Sequence, residues 1–258
     1  YAFDTGPTLL TIPAVYRDFF ARTGAHMGTQ MQLQEVNPSF DYRFADGTSV
    51  LFANLSRKET VKAIAESFGD EAGKEWDQLL IRAEAMWDIS REPFVEKELK
   101  NPLTLLKRRH LFRDFKIIAP HPTLRDFALR DSHLSKILDR YATYSGSDPR
   151  RAPAVLSTIA FIEEAFGAWH IAGGIGVLAE KVEKRCRDLG VTIHLNTRVE
   201  EIITFRGRAT GVRCADGTTI SADSVVSNSD ATLTYNNLIK SSSRAVKRVR
   251  KNISAIEP

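Results

Sequence analysis

The sequence predicts an α/β protein carrying an α-helical insertion, and three observations predict it. Extended, β-rich runs occupy the chain before Arg57, including a hairpin signal at Asp46-Gly47. Apolar residues then recur at helical spacing from Arg57 to about Phe166. After Gly167 the pattern becomes a helix followed by short extended runs. The β segments at both ends are expected to belong to one sheet domain that the helices interrupt.

The opening run YAFDTGPTLLTIP is extended and broken at Gly6-Pro7; a helix is expected over 14–22, followed by a loop ending in Gly24. MQLQEV reads as a strand, and FDYRFADGTSVLFA as two strands joined by the Asp46-Gly47 turn. Ser56 precedes Glu59 by three residues, the spacing of a capping box, and Gly69 closes the helix so started. In EAGKEWDQLLIRAEAMWDIS the residues Trp76, Leu79, Leu80, Ala83 and Trp87 share one helical face. Prolines at 93, 102, 120, 122, 149 and 153 punctuate a series of shorter helices. IGVLAEKVEKRCRDLG is an amphipathic helix ended by Gly190, and VTIHLN reads as a β-branched strand. RVEEIITFRG, RATGVRCADG and TTISADSVVSN divide at Gly207 and Asp216-Gly217 into an antiparallel meander whose last run aims back into a sheet.

The totals bound the class. At 258 residues, 43% hydrophobic and 26% charged, the chain is long enough for one large or two ordinary globular domains, which disfavours disordered and fibrous classes. A net charge of +4 permits anionic partners without demanding them. Cys186 and Cys214 cannot build a disulfide framework and no C-x-x-C pair exists, so no metal site is expected and a reduced, intracellular setting is the default. No apolar run approaches the ~18–20 residues of a spanning helix, and the front lacks a secretory pattern. The chain opens without Met inside an extended run and stops without a closing element, so an internal piece of a longer protein is expected.

Gly174-x-Gly176-x-x-Ala179 mimics a dinucleotide-binding turn. Such a turn needs a buried strand before it and an acid about twenty residues on, to hold a ribose. Here EEAFGAWHIA offers only a few strand residues, and VTIHLNT ends in Asn196 and Thr197 rather than an acid. The glycines are therefore expected to turn the chain into a helix that lines a site.

Several segments together resemble the flavin-dependent carotenoid desaturases, the bacterial-type phytoene desaturase family. They are FDTGPTLLTIP (3–13), YATYSGSDPRRAPAVLSTIAFIEEAFGAWHIAGGIGVLAEKV (141–182), GVTIHLNTRVEEI (190–202) and ADSVVSNSDATLTYNNLI (222–239). Their order and spacing extend the resemblance over essentially the whole chain, with 57–140 matching loosely. The resemblance implies a partial glutathione-reductase-like FAD/NAD(P)-binding domain with an inserted helical substrate domain. It divides the chain into 1–56 (FAD domain and start of the substrate domain), 57–166 (helical, substrate- and membrane-facing) and 167–258 (return to the FAD domain with a β-meander). The family's own dinucleotide fingerprint lies upstream of the segment matching Tyr1. The implied reaction removes hydrogen from C–C bonds of a phytoene-like polyene, with FAD accepting hydride and a quinone or oxygen reoxidising it. Such chemistry resides in the cofactor, so no nucleophile or metal cluster is required of the protein.

The resemblance places Gly6, Pro7 and Thr8 close to the flavin ring; read alone they form a strand-ending turn. It places Arg198 and Val199 at the adenine end of FAD, recognised through main chain, where a core valine is the alternative. Asn228 and Asp230 fall near the cofactor, although Ser229 or Asp230 serves equally as a helix N-cap. His170, Gly173 and Gly174, with Tyr144 and Asp148, would line the substrate passage, while Asp148 and the adjoining arginines can also pair on the surface. Glu163-Glu164 reads as helix surface or at most one site-facing acid, since neighbours on a helix point apart. NPLTLLKRRHLFRDFKII carries a basic stripe of Arg109, Arg113 and Lys116 opposite apolar residues, as either a membrane-docking helix or a helix packed on the core with snorkelling cations would. RAVKRVRKN is a basic run read as a solvated helix face, and nucleic acid is not an expected partner. The expected setting is cytoplasmic and peripherally membrane-associated. The rival readings are another carotenoid- or retinoid-modifying flavoenzyme (ketolase, isomerase or saturase) and a non-catalytic membrane-associated binding module.

Overall fold

The computed structural model describes residues 4–96, 114, 117, 122–127 and 129–254. The chain divides into two compact units, Tyr1–Asp188 and Leu189–Pro258.

In the first unit, helix α1 (Pro13–Arg22) opens on Pro13, whose fixed φ suits the first helical position, and buries Phe20. A short helix α2 (Met27–Gln30) leads to strand β1 (Leu33–Glu35). Strands β2 (Phe40–Arg43) and β3 (Ser49–Phe52) form the expected hairpin, with Phe40 opposite Phe52 and Arg43 opposite Ser49. Its turn holds because Asp46 Oδ1 accepts the Thr48 N–H (3.0 Å) and hydroxyl (2.6 Å), while Gly47 adopts φ +86° at no steric cost. Helix α3 (Arg57–Phe68) starts as expected, with Ser56 Oγ accepting the Glu59 N–H at 3.4 Å, and stops at Gly69. Helix α4 (Asp70–Ser90) buries Trp76, Leu79, Leu80, Ala83 and Trp87 together with Met86. Helix α5 (Ser132–Arg140) is capped by Asp131, which accepts the N–H groups of His133 and Leu134. Helix α6 (Thr158–Phe166) ends at Gly167.

Val50 and Phe52 of the hairpin pack with Ile64, Trp76, Leu80, Leu134 and Leu138 into a helical core. Full burial of side chains of this size is worth about 1.5–3 kcal/mol each. After α6 the chain returns as strand β4 (Trp169–Ile171), which pairs antiparallel with β1 from Leu33↔Ile171 to Glu35↔Trp169. The helices thus interrupt a two-stranded sheet. Helix α7 (Gly176–Asp188) follows, and Leu10, Phe20, Met27, Met31, Ile171 and Leu178 make a second core. Buried Asn54 ties the hairpin to β4, donating to the Ala168 carbonyl (3.2 Å) and accepting the Ala168 N–H (2.8 Å).

The second unit is the expected meander: β5 (Val199–Phe205), β6 (Arg208–Cys214) and β7 (Thr219–Ser221), antiparallel in that order. Arg206 (φ +49°) and Gly207 (φ +80°) form the two-residue connection, whose left-handed pair matches the twist of the flanking strands. Helix α8 (Arg244–Ile253) follows.

Two expectations need correction. The mixed helix–strand class holds, but the β segments form three separate small sheets rather than one, and every ladder among the described residues is antiparallel. VTIHLN is not a strand, and TTISADSVVSN is one only over Thr219–Ser221. An extended run becomes a strand only where a neighbour accepts its hydrogen bonds. Val191, Leu195 and Val226 are instead exposed by 50%, 72% and 95%. The stripe of Arg109, Arg113 and Lys116 lies outside the described residues.

Candidate functional site

The glycine turn before α7 is closed by the protein itself. Gly173 and Gly174 adopt φ +92° and +94°, which aims the following N–H groups at one point. The Asp4 carboxylate sits there, Oδ2 accepting the Ile175 N–H at 2.9 Å and Oδ1 the Gly176 N–H at 3.1 Å. A Cβ on Gly174 would stand 2.7 Å from Asp4 Oδ2, so glycine is what admits the carboxylate. The helix N-terminus that a phosphate would use is therefore already charge-compensated by an acid of this chain.

The same contact brings the N-terminal segment to the turn. Gly6, Pro7 and Thr8 are exposed beside it, and a Cβ on Gly6 would meet no atom within 4 Å. Leu10 and Trp169 exchange backbone hydrogen bonds (2.8 and 3.0 Å), fixing this segment against β4. On β4, Trp169 and Ile171 share one face and His170, half-buried, takes the other. Gly6–Thr8, His170, Gly173 and Gly174 thus gather around β4.

Tyr144 belongs elsewhere, at a buried acid that sequence reasoning misread. Glu163 is 8% exposed rather than a surface residue. Its Oε2 accepts from Arg140 Nη2 (2.7 Å) and Tyr141 OH (2.9 Å), and its Oε1 from Tyr144 OH (2.9 Å). Arg140 lies over the rings of Phe40 (4.8 Å) and Tyr141 (4.6 Å). Burial works against the Arg140 charge, but Tyr141, Tyr42 and Glu163 outweigh it and raise its pKa. Burial pushes the pKa of the Tyr42 hydroxyl up to about 12, with nearby Arg140 opposing the rise. Glu164 lines a small, partly open pocket with Glu163, Thr60 and Ser39. Asp148 pairs with exposed Arg150 (2.9 Å), the surface alternative, and that hydrogen bond lowers its pKa.

In the second unit, Arg198 and Val199 line an open cleft of about 770 Å³ with Glu201, Arg213, Ser229 and Leu233. The Arg198 carbonyl accepts the Ala215 N–H at 2.9 Å, which anchors the start of β5. Arg213 reaches Glu201 at 3.3 Å. Asn228 is exposed. Asp230 caps the short turn after it, accepting the N–H groups of Thr232 (2.7 Å) and Leu233 (3.4 Å), chiefly the former of which lowers its pKa. Its neighbour Ser229, rather than Asn228 or Asp230, reaches the cleft. The cofactor residues read from sequence therefore fall into two groups, one in each unit.

Comparison with known proteins bears on both groups. A family model described as flavin containing amine oxidoreductase matches residues 1–249. A 4,4'-diapolycopene oxygenase of Methylomonas sp is 28% identical over 97% of this chain and 51% of its own length. A phytoene desaturase (neurosporene-forming) of Cereibacter sphaeroides is 28% identical over 95% of this chain and 47% of its own. A 4,4'-diaponeurosporene oxygenase of Staphylococcus aureus is 27% identical over 93% and 48%. The chain thus spans about half the length of these curated relatives. Among solved structures, a Rab GDI from Plasmodium falciparum aligns with TM-score 0.41 and 14% identity, over 84% of this chain and 48% of that one.

Proposed function

Because the chain belongs to the flavin containing amine oxidoreductases, we propose that it forms part of an FAD-dependent desaturase acting on C–C bonds of a carotenoid precursor, a phytoene-like polyene. The observation that carries this reading is the similarity to a neurosporene-forming phytoene desaturase along 95% of the chain. FAD is the cofactor of the family, and when bound it supplies a two-electron acceptor for hydride.

In this reading the resemblance assigns residues of the second unit to the adenine end of that cofactor and residues of the first unit to its ring, and each group is taken by itself. Arg198, Val199 and Ser229 would hold the adenine end, because the cleft sets a cation and a hydroxyl beside apolar Val199 and Leu233. Asn228 and Asp230 would support that wall. Gly6, Pro7 and Thr8 would lie along the ring, where Gly6 leaves open space for a planar group. The glycine turn at 173–176 would not take the pyrophosphate, since Asp4 occupies its N–H groups.

The work of this chain is then positioning and exclusion of water. Residues 57–166 form the substrate domain in this reading, with 1–56 and 167–258 completing the FAD-binding part. His170, Gly173 and Gly174 would line the polyene passage beside the flavin-facing segment, whereas Tyr144, bonded to Glu163, and Asp148, paired with Arg150, are engaged elsewhere. A substrate soluble in lipid calls for a peripherally membrane-associated enzyme, here on the cytoplasmic side, with quinone or oxygen as final acceptor.

A second reading rests on the two oxygenases of equal similarity: the same scaffold would insert oxygen into a polyene. Expressing the complete gene in a phytoene-producing host and separating the pigments by chromatography tests both. New conjugated, oxygen-free pigments are expected. Carbonyl or hydroxyl products would favour the second reading, and unchanged phytoene beside a folded, flavin-loaded protein would overturn both.

A further inference from the structure

Helix α8 carries a basic stripe that no acid among the described residues pairs with. Arg244, Lys247, Arg248 and Lys251 are spaced i, i+3, i+4, i+7, which puts them on one face. All four are exposed, while Val246, Val249 and Ile253 on the opposite face are half-buried. Arg250, on that opposite side, is consumed structurally: it donates to the carbonyls of Tyr235 (2.7 Å) and Ile239 (2.6 Å). The helix is therefore anchored to its own unit by its apolar side and turns the four cations outward.

That charge is uncompensated. No Asp or Glu occurs between Asp230 and Glu257, and among the described residues no ion pair reaches the four cations. On α7, by contrast, Lys184 is matched with Asp188 and Arg187 with Glu183. Lys240, just before the helix, adds a fifth cation on the same stretch without an acid.

We propose that the face formed by Arg244, Lys247, Arg248 and Lys251 docks the second unit onto an anionic phospholipid surface. Four cations spread over about 10 Å of helix can meet a planar array of headgroup phosphates together. The stripe offers no aromatic side chain to stack a nucleobase, which favours lipid over nucleic acid. The docking is electrostatic, because the apolar side of the helix is already engaged and no helix among the described residues is long and apolar enough to cross a membrane. The inference extends the reading of a lipid-soluble substrate but stands on the stripe.

The test is co-sedimentation of the chain with vesicles of phosphatidylcholine alone or with about one-third phosphatidylglycerol. Binding is expected only to the anionic vesicles and is expected to fall steeply between low and 0.5 M salt, since exposed charges are screened. Changing the four cations together to Gln should weaken binding at least about tenfold, and changing Arg244 and Arg248 to Lys should retain it. Circular dichroism of each variant confirms folding, and the salt and lipid comparison on the unmodified chain decides the matter if the Gln variant does not fold. Equal binding to neutral vesicles, binding unaffected by salt or by the Gln changes, or tighter binding to duplex DNA at equal phosphate would overturn the proposal. The assay contains neither flavin nor polyene, so its outcome is separate from that of the pigment experiment.

Discussion

Glu164 lies near Arg57, Asp77 and Glu84, and burial pushes its pKa up to about 7, with Asp77 and Glu84 adding to the rise and Arg57 opposing it. A carboxyl raised in the fold contributes stability that is complete below its unfolded pKa and is lost as pH climbs through about 7. The chain should therefore weaken between pH 6 and 8. Glu164→Gln should flatten that dependence and stabilise the fold at pH 8 by about 1 kcal/mol, discounted for partial solvation. Urea unfolding at the two pH values checks this; parallel curves for both proteins would refute it. Replacing its neighbour has the opposite effect on stability. Glu163→Leu leaves half-buried Arg140 without its acid and two tyrosines without their acceptor, costing about 3 kcal/mol, visible as a lower urea midpoint. Neither role was legible in the pair Glu163-Glu164, because the partners lie nineteen or more residues away, on α5 and the turn after it for Glu163 and on α3 and α4 for Glu164.

At the scale of elements, short-range chemistry read well. Ser56, Gly69, Asp46-Gly47 and Arg206-Gly207 each act within about four residues, and each marks a boundary that the structure keeps. The glycine turn did not read fully: its spacing and its failed context were visible, but the acid that closes it is 171 residues away. Asp4→Ala should cost about 1 kcal/mol, as loss of a helix cap does. It should also speed amide exchange at Ile175 and Gly176, and unchanged exchange would show that the contact is not formed in solution. In the meander, a Cβ on Gly211 would overlap the Ile220 carbonyl oxygen. Gly211→Val should therefore detach β7 from β6 and spare β5–β6, seen as lost protection confined to Thr219–Ser221. VTIHLN was misread because β-branched composition reports fitness for a sheet and says nothing of a partner.

At the scale of the whole molecule, two units of unequal solidity follow one another. The first contains both cores, whereas the second buries little beyond Ile202, Cys214 and Thr234. Brief proteolysis should cut first in the exposed, strandless stretch 189–197 and leave a resistant fragment ending near Asp188. First cleavage inside α3 or α4 would contradict this division. Helices, caps, hairpin turns, the antiparallel meander and the family resemblance were all decided by residues close in sequence, where backbone preferences and turn chemistry act. The pairing of β1 with β4 across the helices, the burial of Glu163 under Arg140, and the Asp4 carboxylate seated in the glycine turn were decided only by tertiary structure. Such contacts join residues that no local pattern relates, and their energy exists only after the intervening chain has packed.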